Sequence, residues 1–492
     1  HRHRHRDRHG RCRRRSDCPN QPDRTPRRRA PPHRAPLSPP PPLTPPIGPT
    51  PAAPPTAPPV APLAPTDESP AAPAELGGKR PLTTRRLVKR ALAGVAVLAV
   101  LAGGAGVAQL LRPLPKPQLK FTAADSFTFA GDPVALPWPA KGQAAAEVVG
   151  MGSLGSSGPK DTPVPIASVT KVMNAYLILQ AHPLAPGQTG PTIKVDKAAA
   201  QESNDPDQST AKVTEGQEIS EYQALEMLML PSANNIARLL ARWDTGSTSE
   251  DAFVKKMNDQ AAKLGMTHTS YADPAGYNAD TKSTAADQLK LAEVVMQNPV
   301  FRQIVSEPDT VIAGAKIPNT NYLLGKNGVI GTKTGSSTPA GSCLMWAATK
   351  DVGGTQQMLL GVTLGQPPLP NVANGLLLGA QPVSQKIITA GQGAITGQTL
   401  VKQGEQVGYV DDGLGGRIPV VATKDVTVPG FTGISTTLKL TPVPGGLGHS
   451  APAGTVVATL TAGDGPGQVQ VPVAMGRELA PPSIDARLIR TN

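Results

Sequence analysis

Residues 163–173, PVPIASVTKVM, change character halfway along. Pro163 and Pro165 hold the approach extended. Val169, Val172, Met173, Tyr176 and Leu177 then recur at helical spacing, which predicts a helix from about 168 to 180. Ser168 falls at the N-terminus of that helix, where its backbone N–H has no intrahelical partner and the helix dipole favours negative charge. Lys171 follows one turn in, on the same face. On an otherwise apolar helix its amine is partly desolvated and loses proton affinity. A neutral amine beside a serine hydroxyl is a nucleophile–base pair. The plainer alternative is a helix cap followed by a lysine whose stem lies along apolar surface.

The pattern alone is weak, because the chain carries a second copy. Ser209-Thr210-Ala211-Lys212 sits in QESNDPDQSTAK, a polar stretch with no apolar helix behind it, and reads as a surface loop. Two further elements single out Ser168. Ser232-Ala233-Asn234 lies 64 residues downstream, in the turn between two expected helices. Lys333-Thr334-Gly335 lies 101 residues beyond that, in the strand context GVIGTKTGSS. Separately these are a helix cap and an edge strand with its turn. In this order, on helix, loop and strand, they form one constellation.

With these three motifs the chain resembles the serine penicillin-recognising enzymes, most closely the D-alanyl-D-alanine carboxypeptidases. VTEGQEISEYQALEMLMLPSANNIARLLA, FVKKMNDQAAKLGMTHTSYADPAGYN, STAADQLKLA and GTKTGSSTPAGSCL are similar to that family's blocks. The likeness covers about 125–385 well and the C-terminal part loosely, through TLKLTPVPGGLGHSAPAGTVVATL. The resemblance implies an α+β fold: a β-lactamase/transpeptidase-like catalytic domain, its antiparallel sheet packed with helices, followed by a small all-β domain. It implies that Ser168 attacks the penultimate D-alanine carbonyl of a peptidoglycan stem peptide while Lys171 takes its proton. It implies that Ser232 relays a proton to the leaving D-alanine and that Asn234 orients Lys171 and the substrate amide. Lys333 would supply positive potential and a donor to Ser232, and Lys333, Thr334, Gly335 and Ser336 would bind the peptide and its terminal carboxylate. The N–H groups of Ser168 and Ser336 would form an oxyanion hole worth about 3 kcal/mol per donor. Water would release the acyl-enzyme, with no metal and no organic cofactor, and β-lactams would acylate the same serine. Related enzymes often place an Arg near the Lys-Thr-Gly strand, whereas only Lys316 and Lys326 stand just upstream here. Many attach by a C-terminal amphipathic helix, whereas RELAPPSIDARLIRTN has little apolar face.

Beyond the motifs, Ser220 with Gln223 makes a capping box, and Thr284-x-x-Asp287 opens another helix. Phe253, Met257 and Leu264, closed by Gly265, mark one more. Residues 328–332, 343–348 and 357–364 read as strands of one antiparallel sheet. From about 398, short Val/Thr/Leu runs alternate with Gly/Pro turns. The expected organisation is therefore a disordered Arg/His- and Pro-rich region (1–84), a transmembrane anchor or signal segment (85–112), a linker (113–121), the catalytic domain (122–397) and the β domain (398–492).

Composition is misleading until it is divided. The net charge of +12 suggests a nucleic-acid or anionic-membrane partner. Yet residues 1–90 hold 19 Lys and Arg against 6 Asp and Glu, while the remainder is near neutral, so no nucleic-acid partner is expected for the body. The head carries 19 Pro between 31 and 73 and reads as solvated or polyproline II. Its five His allow a metal-binding tail on composition alone, and with Met151 the first Met, a fragment or mis-set reading frame stays open there. Residues 91–111 are uncharged and span about 31 Å as a helix, matching a hydrocarbon core. Arg85, Arg86, Lys89 and Arg90 outweigh Arg112 and Lys116 across it, so the N-terminus is expected in the cytoplasm and the body outside, secreted if the segment is cleaved. Cys343 stands alone in the body, and no Cys/His cluster has zinc spacing.

Two competing functions remain. A class A-like β-lactamase would need a Glu in 265–283, GMTHTSYADPAGYNADTKS, which has none. A non-catalytic cell-wall binding protein of the same fold is disfavoured by the intact Ser168, Lys171, Ser232, Asn234 and Lys333.

Overall fold

The computed structural model describes residues 83–490; the expected tail up to 82, with Cys12 and Cys18, lies outside the described residues. Helix α1 (Thr83–Leu111) comes first, with a mean hydropathy reaching 2.2 between Arg85 and Leu111. Among the described residues it is the one helix long and apolar enough to cross a membrane. Strands β1 (Gln118–Phe121) and β2 (Ser126–Thr128) precede the hairpin β3 (Gln143–Val148) and β4 (Gly152–Ser157). A 3-10 turn, Ala167–Thr170, then runs directly into α2 (Lys171–Ala181), so the expected helix is present with its first turn tightened.

The helices α3 (Lys197–Glu202), α4 (Glu221–Met229), α5 (Asn234–Thr245), α6 (Asp251–Lys263), α7 (Ala285–Val295) and α8 (Pro299–Val305) follow. Their starts obey the local chemistry. Ser220 and Gln223 satisfy each other's backbone N–H groups ahead of α4, and the Thr284 hydroxyl accepts from the Asp287 N–H ahead of α7. The meander β5 (Val329–Ser337), β6 (Gly341–Val352) and β7 (Thr355–Gln366) leads into α9 (Ala380–Ala394).

The five strands form one antiparallel sheet in the order β5-β6-β7-β3-β4. Both faces are covered, which explains the near-continuous apolar run of β6. Cys343, Met345 and Ala347 pack with the helical cluster of Val172, Leu225, Ile236 and Leu291. Leu344, Trp346 and Ala348 alternate with them and meet Ile387 and Ile388 of α9. This places β5 at the sheet edge, beside the turn that carries Ser168. The α+β architecture expected from the motifs is borne out.

The C-terminal part is β8 (Thr396–Val401), β9 (Gln406–Asp411), β10 (Arg417–Ala422), β11 (Val426–Gly430), β12 (Ser435–Pro442), β13 (Val456–Ala462) and β14 (Val469–Met475). Its main sheet has the order β1-β9-β10-β14-β13-β12-β2, and β8 pairs with β11. Here the expected boundaries are corrected. Residues 118–121 are not linker but a strand, Gln118 opposite Asp411, and Ser126–Thr128 pairs with Ser435–Thr437. Both edge strands of the C-terminal sheet are thus supplied by chain that precedes the catalytic body. They pair the outer strands β9 and β12, and Leu119, Phe121 and Phe127 add cover to the Val407, Val410 and Leu438 core.

Candidate functional site

The site lies where the Ser168 turn, the α4–α5 turn and edge strand β5 converge. Two non-glycine residues there adopt left-handed backbone: Ala167, just before Ser168, at φ 46°, and Ser232 at φ 67°. Such conformations are costly and persist only where the surroundings enforce them. At Ala167 the enforcement is visible. The Thr170 hydroxyl donates to its carbonyl (2.7 Å), and a Cβ on Gly276, itself at φ 77°, would lie 1.8 Å from that oxygen. Gly335 has a similar use. A Cβ there would lie 3.0 Å from the backbone nitrogens of Ser168 and Val169, so glycine lets β5 close against the turn.

Lys171 is completely buried, and its Nζ lies 2.8 Å from Ser168 Oγ, 2.6 Å from Asn234 Oδ1 and 2.7 Å from the Ala275 carbonyl. Burial chiefly, with repulsion from Lys333 and Arg238 outweighing the pull of Asp273, holds its amine well below the ordinary lysine value. Lys333 is also fully buried, and burial brings it down to about 7. Lys333 Nζ and Ser232 Oγ are buried without a hydrogen-bond partner among the described residues. The expected donation from Lys333 to Ser232 is therefore not made, a correction with a physical cause. Ser232 is turned by its left-handed backbone, and Lys333 is fixed on β5 in register with Met345 of β6. Thr334 is held by Thr320 (Oγ1–Oγ1 2.6 Å), whose hydroxyl also contacts the Leu230 carbonyl (3.2 Å). Ser336 is half-buried further along β5.

So Ser168, Lys171 and Asn234 are in direct contact, Lys333 and Ser232 sit beside them unpartnered, and Thr334, Gly335 and Ser336 line the same strand. Cys343 is buried on β6 opposite Gly335, its thiol pushed up to about 12 by burial, which makes it unreactive. Several contributors had no side-chain signature. Ala275 acts through its carbonyl, and Asp273 shapes that loop by accepting from the Thr281 hydroxyl (2.7 Å) and the Tyr277 N–H (2.9 Å). Gln208 comes from the stretch read as a mere surface loop. That stretch is a loop, but the Ser209 carbonyl accepts from the Asn234 N–H (2.8 Å), so it abuts the site.

A serine and a buried, desolvated lysine on one helical turn, facing an edge strand, define a class of serine acyl-transfer fold, and the comparisons agree. The family model for D-alanyl-D-alanine carboxypeptidase matches residues 152–367. The chain is 33% identical over 229 residues to the D-alanyl-D-alanine carboxypeptidase of Streptomyces sp. (strain K15), covering 43% of this chain and 75% of that one. It is 32% identical over 197 residues to a D-alanyl-D-alanine endopeptidase of Pseudomonas aeruginosa, covering 38% of this chain. Only 61% of that relative's length is spanned. Among solved structures, a peptidoglycan synthesis regulatory factor (PBP3) from Streptococcus pneumoniae superposes with a TM-score of 0.51 at 22% identity, over 68% of this chain and 98% of that one, and so shares the fold. The chain belongs to the D-alanyl-D-alanine carboxypeptidase family.

Proposed function

We propose that the protein is a serine D-alanyl-D-alanine carboxypeptidase that removes the terminal D-alanine of peptidoglycan stem peptides and is acylated by penicillin. The observation that carries this is the coordination of Lys171. A neutral amine has two N–H bonds and one lone pair. Asn234 Oδ1 and the Ala275 carbonyl are acceptors only, so they take both hydrogens, and the lone pair is left for the Ser168 hydroxyl. Ser168 Oγ then forms the bond to the penultimate D-alanine carbonyl carbon as its proton passes to Lys171. The backbone N–H groups of Ser168 and Ser336 receive the oxyanion. The C–N bond breaks with the leaving amine taking a proton through Ser232, and water releases the acyl group. Lys333, a buried amine without a hydrogen-bond partner among the described residues, matches the substrate's terminal carboxylate, which would satisfy it and favour its charged form. Thr334 and the free edge of β5 align the peptide.

Helix α1 is the membrane anchor in this reading, with the basic cluster Arg85–Arg90 on the cytoplasmic side and the body outside. The relative named a D-alanyl-D-alanine endopeptidase supports a second, endopeptidase reaction at the same serine. The test is intact-mass spectrometry after penicillin. One covalent adduct per chain, mapped to Ser168 and persisting for minutes, is expected. No adduct, or one lost by rapid turnover, would favour a binding protein or a β-lactamase instead.

A further inference from the structure

Asn234 can serve Lys171 only if its carbonyl oxygen, not its amide nitrogen, faces the amine. The two ends of an Asn amide have the same shape, so neighbours must choose between them. Here the choice can be traced outward to groups with no ambiguity. Asn234 Nδ2 donates to Gln208 Oε1 (3.0 Å). Gln208 is itself an amide, but its Nε2 donates to Asp205 Oδ2 (2.6 Å), and a carboxylate can only accept. Arg238 Nη1 donates to the same Gln208 Oε1 (3.1 Å) and to Glu202 Oε2 (2.7 Å), and a guanidinium can only donate. The Asp207 N–H, then the Gln208 amide, hold the Asp205 carboxyl below its ordinary value, so it stays an acceptor. Polarity therefore runs one way from the surface inward: Asp205, Gln208, Asn234, Lys171, Ser168.

We propose that Gln208 is a positioning residue: it holds the Asn234 amide in the one orientation that leaves the Lys171 lone pair free for the Ser168 hydroxyl. With Asn234 turned over, its Nδ2 would donate to the amine, occupy the lone pair and leave Ser168 without a base. Nothing about residue 208 in the sequence marks it, since it lies in a polar loop one residue before the decoy Ser-x-x-Lys. The inference rests on the proposed acyl-enzyme function and adds the device that arms it.

The experiment is the rate of penicillin acylation of the full-length protein as a function of pH, in Gln208→Leu, Gln208→Glu and Asp205→Asn. Gln208→Leu should lower the plateau rate by about tenfold or more, the scale of one lost hydrogen bond in a barrier. Its acid limb should move to lower pH, because an N–H donor facing the amine disfavours the ammonium further. Of the charged groups around Lys171, Lys333 on β5 and Asp273 on the loop before α7 do not bond residue 208, while Arg238 on α5 loses the Gln208 acceptor but keeps its ion pair with Glu202. Gln208→Glu keeps an acceptor for Asn234 Nδ2 and for Arg238, loses the donation to Asp205 and adds a carboxylate, so it should recover part of the rate lost in Gln208→Leu, with its acid limb at or above the wild-type position. Asp205→Asn, at a half-exposed loop position that the core does not need, should shift both in the direction of Gln208→Leu by a smaller factor.

Wild-type rates and limbs in Gln208→Leu, or in Asp205→Asn should the leucine variant not fold, would overturn the proposal. So would a slow Gln208→Leu whose acid limb moves toward the ordinary lysine value, with Gln208→Glu equally slow, since loosened packing alone would do that. If the wild type is never acylated, the proposed function fails and takes this inference with it. If wild type is acylated and Gln208→Leu matches it, only the inference falls.

Discussion

Lys171 and Lys333 carry the same charge chemistry into one buried site, but they face opposite demands. Lys171 works as a base only when neutral, and burial, with repulsion from Lys333, keeps it so. Lys333 attracts a carboxylate only when charged, yet burial leaves it at about 7. The substrate-free protein should therefore lose kcat/KM for carboxylate-ended substrates as pH rises above about 7. A carboxamide-ended analogue should lack that alkaline limb; a limb shared by both would assign it to another group. Stability carries the matching signature. Between about 7 and 10.5 the unfolded chain keeps a proton on Lys333 that the folded chain sheds, so stability rises with pH across that window. Lys333→Met should raise the melting temperature at neutral pH, with the gain closing toward pH 10.5. At this scale the sequence displayed Ser168, Lys171, Ser232, Asn234 and Lys333 by motif. It could not display Ala275, whose contribution is a carbonyl, or the left-handed turn at Ser232, which no residue type announces. Nor could it display Gln208, whose importance arises only from what its amide faces.

Among the elements, the edge strand β5 and the turn before α2 are fitted to each other by glycine, and the sheet behind them is fitted the same way. Trp346 on β6 lies opposite Gly361 on β7, and a Cβ at Gly361 would lie 2.0 Å from the Trp346 ring. The indole is 1% exposed, so it has nowhere to move. Gly361→Ala should therefore destabilise the fold by about 1–3 kcal/mol, read as a lower urea midpoint with an unchanged m-value. A neutral result would mean that the sheet can re-register. Helix caps and strand runs were legible because each is settled within four to eight residues. The capping box at Ser220 and the strands around 343–348 and 357–364 stand as the sequence indicates. The pairing of Gln118–Phe121 with Gly408–Asp411 was not legible, since four residues carry an alternation but no address for a partner nearly three hundred positions away.

Across the whole molecule, the basic excess belongs to residues 1–90, which run into the start of α1, and Pro is densest ahead of that helix; the body that follows is a near-neutral sheet-and-helix domain with a β domain strapped to it by β1 and β2. The strap starts only a few residues after α1 ends at Leu111, so the β domain lies next in the chain to the proposed anchor. All of that architecture has one reactive centre to position, and its central claim is that Ser168 forms an acyl-enzyme from a D-alanine-ended stem. The most direct measurement is release of free D-alanine from a synthetic stem peptide ending in D-Ala-D-Ala, by the full chain and by Ser168→Ala. The account predicts release by the wild type and none above background by Ser168→Ala. No release by a wild type that is folded, or release that persists in Ser168→Ala, would contradict it.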